Sequence, residues 1–457
     1  MSIDNSVVDV FGTPSHPSGR AKQYKGGVAL KLELHKVQVR KLTFGSETSV
    51  KDGVLSINKQ ELIELLSEDD RLAGVDLDLA HPGEEVRILP VKDAIEPRCK
   101  LDDGNEVFPG WIGDVDPVGE GKTLVLEGAV VLTTGRLVAP QEGIVDMTGP
   151  GAEYTPFSKT NNLVVVLTPA DGVELHSREA ACRQAGLKAA HYLASCCKAA
   201  SADHVETYDF PPLAEAMKAH PGLPKVAYVY MLQSQGLLHD TWVYGVDAKK
   251  ILPSLISPTE TMDGAIISGN CVSACDKNNT YVHQNNPIIK HLYAHHGKEF
   301  NFVGVIITNE NVTLADKKRS SSYAIKLASM LGVDAVIISE EGFGNPDADL
   351  VMNCWKAERA GIKTVLVTDE YAGRDGASQS LADSCPEGDA CVTAGNANEL
   401  VLLPPMKKII GELPTADIIA GGFFGTLKDD GSLEVEIQAI LGATNELGFN
   451  TIGAYTV

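Results

Sequence analysis

The sequence predicts an α/β protein, with a β-rich N-terminal domain followed by a parallel-sheet C-terminal region. The first sign is alternation: from Leu30 apolar and polar residues take turns in runs such as LKLELHKVQVRKLTF, and turn signals (HPGEE, DPVGEGK, GPGAEY) separate the runs. The second is a change of rhythm beyond Phe302, where short continuous apolar runs (FVGVIIT, VDAVIIS, KTVLVT) alternate with segments of helical periodicity. Strands without alternation, spaced by amphipathic helices, belong in a parallel sheet covered on both faces. The third is that each of these runs ends in a polar loop, glycine-bearing after VDAVIIS and KTVLVT, as in a Rossmann-like region.

Taken in order, residues 1–28 are rich in Gly, Ser, Pro and charge and read as a flexible tail. Residues 29–170 form the β-rich domain, with strands expected at VDLDLA, EEVRILPV, KTLVLEGAVVLTT and NNLVVVLTP and one helix at NKQELIELLSE. Residues 171–270 are a helical and connecting segment, opening with the Ala-rich helix VELHSREAACRQAGLKAAHYLASCCKA. Its tandem Cys196-Cys197 is expected to fill core, because adjacent side chains on a helix do not face each other and free Cys packs as a small hydrophobe. KVAYVYML, after Pro224, reads as a buried strand. Residues 271–457 are the Rossmann-like α/β part, with helices through ADKKRSSSYAIKLASMLG and NPDADLVMNCWKAERAG and later strands at LVLLP and ADIIAGG. Loops near 309–311, 340–345 and 369–376 should line a crevice at the carboxyl ends of the strands, where such sheets hold ligands.

Composition excludes several functions. The 457 residues are 44 % hydrophobic and 22 % charged, as in an ordinary globular chain, and a net charge of -22 disfavours nucleic acid and anionic membranes. The first residues lack the apolar core of a signal peptide, and no apolar run approaches the roughly 20 residues of a membrane helix. With nine cysteines dispersed along it, the chain reads as cytoplasmic and reduced. No phosphate-binding G-x-x-x-x-G-K-[ST] occurs, and neither Gly342-Phe343-Gly344 nor Gly422-Phe423-Phe424-Gly425 completes a dinucleotide fingerprint, so neither ATP nor NAD is expected.

The most informative stretch is Met262–Pro287, MDGAIISGNCVSACDKNNTYVHQNNP, where an apolar run feeds a Ser-Gly-Asn turn and then a thiol, Cys271. A metal site would use Cys271 and Cys275 with His283, His291, His295 or His296, but the thiol spacing lacks a matching second half and no metal is expected. A reactive thiol needs a neighbouring base that no spacing identifies. A self-cleaving Asn270-Cys271 bond is the third reading. Gly and Asn tolerate the backbone a thiol needs to attack the preceding carbonyl, and β-elimination after the acyl shift would leave a dehydroalanine that hydrolyses to an N-terminal pyruvoyl group.

This segment closely resembles the processing region of component B proproteins in the glycine/sarcosine/betaine reductase family. The resemblance continues upstream through KDGVLSINKQEL, VDLDLAHPGEEVRILPVKDAIEPR, GAEYTPFSKT and QGLLHDTWVYGVDAKKI, and downstream through VGVIITNENV, ISEEGFGNPD, TDEYAGRDGASQSLAD and QAILGAT, covering about residues 29–457. It implies cleavage between Asn270 and Cys271, a pyruvoyl cofactor derived from Cys271, and two fragments that stay together. It also implies partners: a selenocysteine-containing subunit that completes component B, a selenoprotein A that receives the carboxymethyl unit, and a component C that forms acetyl phosphate, with electrons from thioredoxin. In the implied reaction the substrate amine condenses with the pyruvoyl ketone and a selenolate attacks the α-carbon. Glycine and sarcosine can condense in this way and quaternary betaine cannot, so Cys271 does not select the substrate.

Beside Asn270 and Cys271, the loops offer Arg374 as a partner for a substrate carboxylate and Glu340, Glu341 and Asp369 as partners for an ammonium or as proton carriers. His283 is a further candidate for proton transfer, and Cys275 is expected to be structural. The competing expectation is an uncleaved scaffold or ligand-binding subunit of such a complex.

Overall fold

The computed structural model describes residues 30–236, 238, 241–269 and 273–448. The N-terminal tail, Asn270, Cys271 and Val272 lie outside the described residues.

The expected strands of the first region form two four-stranded sheets and smaller ones. In one sheet His204–Phe210, Leu30–Gln38, Gly121–Glu127 and Arg98–Lys100 lie side by side, and in the other Leu72–Ala80, Asn161–Pro169, Ala129–Gly135 and Asp93–Ile95 do. The alternation of LKLELHKV does what it predicts: Leu32 and Leu34 are buried while Lys31 is exposed. The helix Leu175–Cys196 packs on these sheets through its small residues. Gly186 lies so close that a Cβ there would meet Thr133 Cγ2 at 2.7 Å and Ile95 Cδ1 at 2.9 Å. Of the tandem cysteines, Cys197 is buried as expected, but Cys196 is exposed at the helix end.

The parallel sheet has six strands in the order Ser254–Ile256, Asn301–Asn309, Lys225–Leu232, Ala335–Ser339, Lys363–Glu370 and Cys391–Asn396. The first is antiparallel to its neighbour and the other five run parallel. Numbered along the chain, those five lie in the order 2-1-3-4-5, which reverses direction between the strands ending at Leu232 and Ser339. Both faces are covered. Tyr228, Tyr230 and Leu232 share one apolar cluster with Ile288, Ile289 and Leu292 of the helix Pro287–His295. Ala227, Val229 and Met231 share the opposite one with Ala324 and Ala328 of Leu314–Leu331 and Leu350 and Cys354 of Asp347–Arg359. The helix Leu314–Leu331 has clear ends: Thr313 caps its N-terminus, and Gly332 closes it with a left-handed φ of 58°.

The sheet therefore takes strands from both sides of residue 270, since its central strand, Lys225–Leu232, precedes that position. The C-terminal chain also departs from the expected alternation. Leu400–Leu403 (LVLLP) pairs with Leu433–Glu436 in a separate two-stranded sheet. ADIIAGG is not a strand: Leu413–Asp417 is a 3-10 helix with Pro near its start, and Ala416 and Ile419 are buried three apart while Ile418 is exposed, a helical rather than an alternating rhythm. Lys408–Gly411 returns to the first region and runs parallel to Val86–Val91. Among the described residues no helix is long and apolar enough to cross a membrane.

Candidate active site

The segment around the proposed cleavage point is anchored on both sides. Ile266–Ser268 pairs with Thr241–Val243. The Ser268 amide donates to Thr280 Oγ1 at 3.1 Å, and Thr280 is itself tied to the buried Asp93 carboxylate, its amide at 2.9 Å and its hydroxyl at 2.7 Å. The chain thus folds back on itself between Ser268 and Thr280. On the far side, the Cys275 amide donates to the Gln438 carbonyl at 3.2 Å, and the amides of Gly442 and Thr444 donate to the carbonyls of Ala274 and Cys275 at 2.8 and 3.1 Å. Ser273, two residues past Cys271, bonds Gln438 Oε1 at 3.2 Å.

Ser273 and Asp276 line a cavity of about 500 Å³ together with Gln233, Gly342, Phe343 and Tyr371. Gln233 follows the first parallel strand and Gly342 the third, so the cavity sits where the strand order reverses, at the carboxyl ends. Phe343 stacks on Tyr371 with ring centroids 3.9 Å apart and forms part of its wall.

Around this cavity lies a buried set of carboxyl groups: Asp276, Glu310, Glu340, Glu341, Asp347, Asp349, Asp369 and Glu446. Several are held at one oxygen: Asn278 Nδ2 donates to Glu446 Oε1 at 2.7 Å, the Glu341 amide to Glu310 Oε1 at 3.0 Å, and Thr444 Oγ1 to Asp369 Oδ2 at 2.9 Å. Asp276 Oδ1, Glu310 Oε2, Glu340 Oε1 and Glu446 Oε2 are buried and accept no hydrogen bond among the described residues. Lys317, paired with Asp349, and Lys277, bonded to the Lys92 carbonyl, are buried beside them.

An excess of buried carboxyls over cations is costly unless protons or cations enter, so Asp276, Glu310, Glu340, Asp349, Asp369 and Glu446 hold their protons unusually tightly. Burial, then Asp347, pushes Glu340 well above the usual carboxylate range, and burial, then Asp276, does the same to Asp369. Burial pushes Asp276 up to about 7.

Of the residues singled out from sequence, Glu340, Glu341 and Asp369 belong to this cluster. His283 is buried, with Nδ1 2.7 Å from the Tyr230 hydroxyl, and burial pushes its imidazole down to about 3. Burial thus favours the neutral imidazole, which is a weak proton donor. Arg374 stands apart: its Nε donates to Glu436 Oε1 at 2.6 Å, its guanidinium lies over the Phe423 ring at 4.6 Å, and its side chain is 48 % exposed. Among the described residues it is linked to the cavity wall through Glu436, which also bonds Asn398 and Gln438. Asn270 and Cys271 lie outside the described residues. Asp276, Tyr371 and Glu446 are the residues that sequence reasoning missed. Asp276 sits inside the processing motif, and that position was its only signal.

The model of the family described as glycine/sarcosine/betaine reductase component B subunits matches residues 30–455. The chain belongs to this family. It is 61 % identical to the glycine reductase complex component B subunits alpha and beta of Acetoanaerobium sticklandii, over 93 % of this chain and 100 % of that protein. It is 52 % identical to the sarcosine reductase complex component B subunit alpha of Peptoclostridium acidaminophilum, over 93 % of this chain and 99 % of that one. A more distant relative, 22 % identical over 73 % of this chain and 54 % of its own length, is the D-proline reductase proprotein PrdA of Acetoanaerobium sticklandii. No solved structure matches. Within the component B family, the cavity at the strand reversal and its carboxyl cluster are this chain's candidate active site.

Proposed function

We propose that this component B chain is a proprotein cut at Asn270-Cys271, and that a pyruvoyl group formed from Cys271 serves the reductive C–N cleavage of a small amine-bearing carboxylate. The observation that carries the reading is the position of Ser273: two residues beyond Cys271, it lines the cavity walled by Asp276 and Tyr371. The kinship with a D-proline reductase proprotein also supports it. A ketone at the new terminus supplies an electron sink for the substrate amine.

The chain's own residues have complementary tasks. Glu340, Asp369 and Glu446 hold their protons tightly, and a cationic amine entering the crevice would compete with those protons for the buried carboxyl oxygens. Asp276, titrating near neutrality on the cavity wall, is suited to hold a proton for the departing amine. Phe343 and Tyr371 shield that proton from bulk water. Arg374, held by Glu436 through Nε, is one hydrogen-bonded step from the wall.

Glycine is the favoured substrate, because the chain is 61 % identical to a glycine reductase relative and 52 % to a sarcosine reductase one. On this reading a selenocysteine-containing subunit completes component B in the cytoplasm. Selenoprotein A then accepts the carboxymethyl unit, and component C forms acetyl phosphate with electrons drawn from thioredoxin. The test is a denaturing gel with terminal analysis. Cleavage divides the 48.7 kDa chain into fragments of roughly 29 and 20 kDa in proportion to residue number. The smaller fragment should resist Edman degradation and react with a hydrazide. An intact chain that supports glycine-dependent turnover with its partners would refute the proposal.

A further inference from the structure

We propose that Cys275, Asp276 and Asp369 form a site for one divalent transition-metal ion of the zinc type, set in the wall of the crevice. There the ion would displace the proton that Asp276 holds in its absence. One donor atom from each of the three lies within 4.8 Å of the others, and all three residues are buried. Donors stand about 2.0–2.3 Å from such an ion, so small side-chain adjustments close the set around one. Tyr371 Oη, 3.4 Å from Cys275 Sγ and 3.3 Å from Asp276 Oδ2, marks where a fourth ligand or a water would stand.

What calls for a cation is the charge left uncompensated. Among the described residues neither Asp276 nor Asp369 is in an ion pair, and Asp276 and Asp347 are like charges that act on Asp369. Asp276 Oδ1 adds a second, independent sign: it is buried, on a residue 2 % exposed, and accepts no hydrogen bond among the described residues. The contrast within the same molecule is Glu127, His204 and Glu206, equally close together, where Lys36 Nζ stands 2.7 and 2.6 Å from the two carboxylates and supplies the positive charge. Among the described residues no ammonium does this at Cys275.

The surroundings are those of a metal site. Thr444 Oγ1 orients Asp369 at 2.9 Å, the Thr444 amide holds the Cys275 carbonyl, and Asn445 Nδ2 donates to the Asp276 carbonyl at 3.3 Å. Asp276 and Tyr371 open onto the 500 Å³ cavity, which gives an ion its way in. A thiolate beside two carboxylates disfavours Mg²⁺ and Ca²⁺, which take oxygen donors, and suits zinc. Sequence spacing could not reveal the set, because Asp369 comes from the end of a strand far along the chain, and His283 turns instead to Tyr230.

The site does not depend on scission at Asn270-Cys271, so it can be tested whether or not the chain is cut. The full-length chain, stripped with chelator under reducing anaerobic conditions, is titrated with Co²⁺. Binding of a single equivalent is expected, with a near-ultraviolet thiolate-to-cobalt band that Zn²⁺ abolishes. Cys275→Ser should lose the band, and Thr444→Ala should weaken binding by about tenfold or more. Circular dichroism checks that each variant is folded, and if Cys275→Ser is not, Asp369→Asn replaces it with the same expected loss. A folded wild-type chain that binds no Co²⁺, or a band that persists in folded Cys275→Ser, would overturn the proposal.

Discussion

Gln233 Nε2 donates to the Glu341 carbonyl at 3.2 Å, joining chain that precedes residue 270 to chain that follows it across the reversal point of the sheet. The same interlocking holds throughout the sheet. Lys225–Leu232 is hydrogen-bonded to Asn301–Asn309 on one side and Ala335–Ser339 on the other, and Lys408–Gly411 extends the sheet of Val86–Val91. Scission at Asn270-Cys271 would leave one packed core built from two chains. We expect a cut sample to elute as one species in native gel filtration and to separate only in denaturant. Fragments that part in plain buffer would contradict this arrangement.

Stability across the two parts should also depend on Arg87 and Asp146. The pair is bidentate, with two contacts of 2.7 Å, both side chains are 0 % exposed, and Arg87 also donates to the Pro404 carbonyl at 2.9 Å. Asp146→Ala leaves a buried guanidinium without its counter-charge, which costs about 3–5 kcal/mol. Urea denaturation of the uncut Cys271→Ala chain would measure it. A loss below about 1 kcal/mol would mean that water reaches Arg87.

His283 gives a pH dependence whose sign follows from its burial. Its folded-state value lies near 3 against 6.5 for the free side chain, so below pH 6.5 the unfolded chain takes up a proton that the folded chain refuses. Its contribution to stability is complete above pH 6.5 and falls with pH down toward 3. His283→Gln removes that slope and keeps a polar partner near Tyr230. Between pH 7 and 5 the wild-type should lose about 2 kcal/mol more than the variant. Parallel slopes in denaturation at the two pH values would show that His283 is not buried neutral.

Much of this fold could be read from local pattern, because the N-terminal strands alternate and the parallel strands run apolar without a break. Leu175–Cys196 and Leu314–Leu331 were legible for the same reason. LVLLP was legible as a strand but not as a member of a separate sheet, since pairing is decided by distant residues such as Leu433–Glu436. The candidate site divides in the same way. Glu340 and Asp369 were visible because they end strands, whereas Asp276 and Glu446 meet them only through the return of the C-terminal chain past Ala274 and Cys275. Arg374 looked well placed in its loop, and nothing nearby in sequence announces that Glu436 holds it.

Cys271 itself should separate the roles of nucleophile and scaffold. Ser268 through Thr280 and Asp93 on one side, and Ser273 through Gln438 on the other, hold the flanks of the cleavage segment. Removing the thiol should therefore leave the fold intact. Cys271→Ala is expected to give one uncut chain whose circular dichroism and denaturation midpoint match those of a freshly made, uncut wild-type. Cys271→Ser keeps an attacking oxygen, but a hydroxyl at neutral pH is far less nucleophilic than a thiol, so scission should slow from complete to partial over days. Neither variant should support wild-type turnover of glycine in the reconstituted complex. If Cys271→Ala is instead cut at the same bond, the nucleophile lies elsewhere, and Ser268 and Ser273, the hydroxyls on either side, become the residues to replace next. If it stays whole and turns glycine over at full rate, the pyruvoyl reading fails.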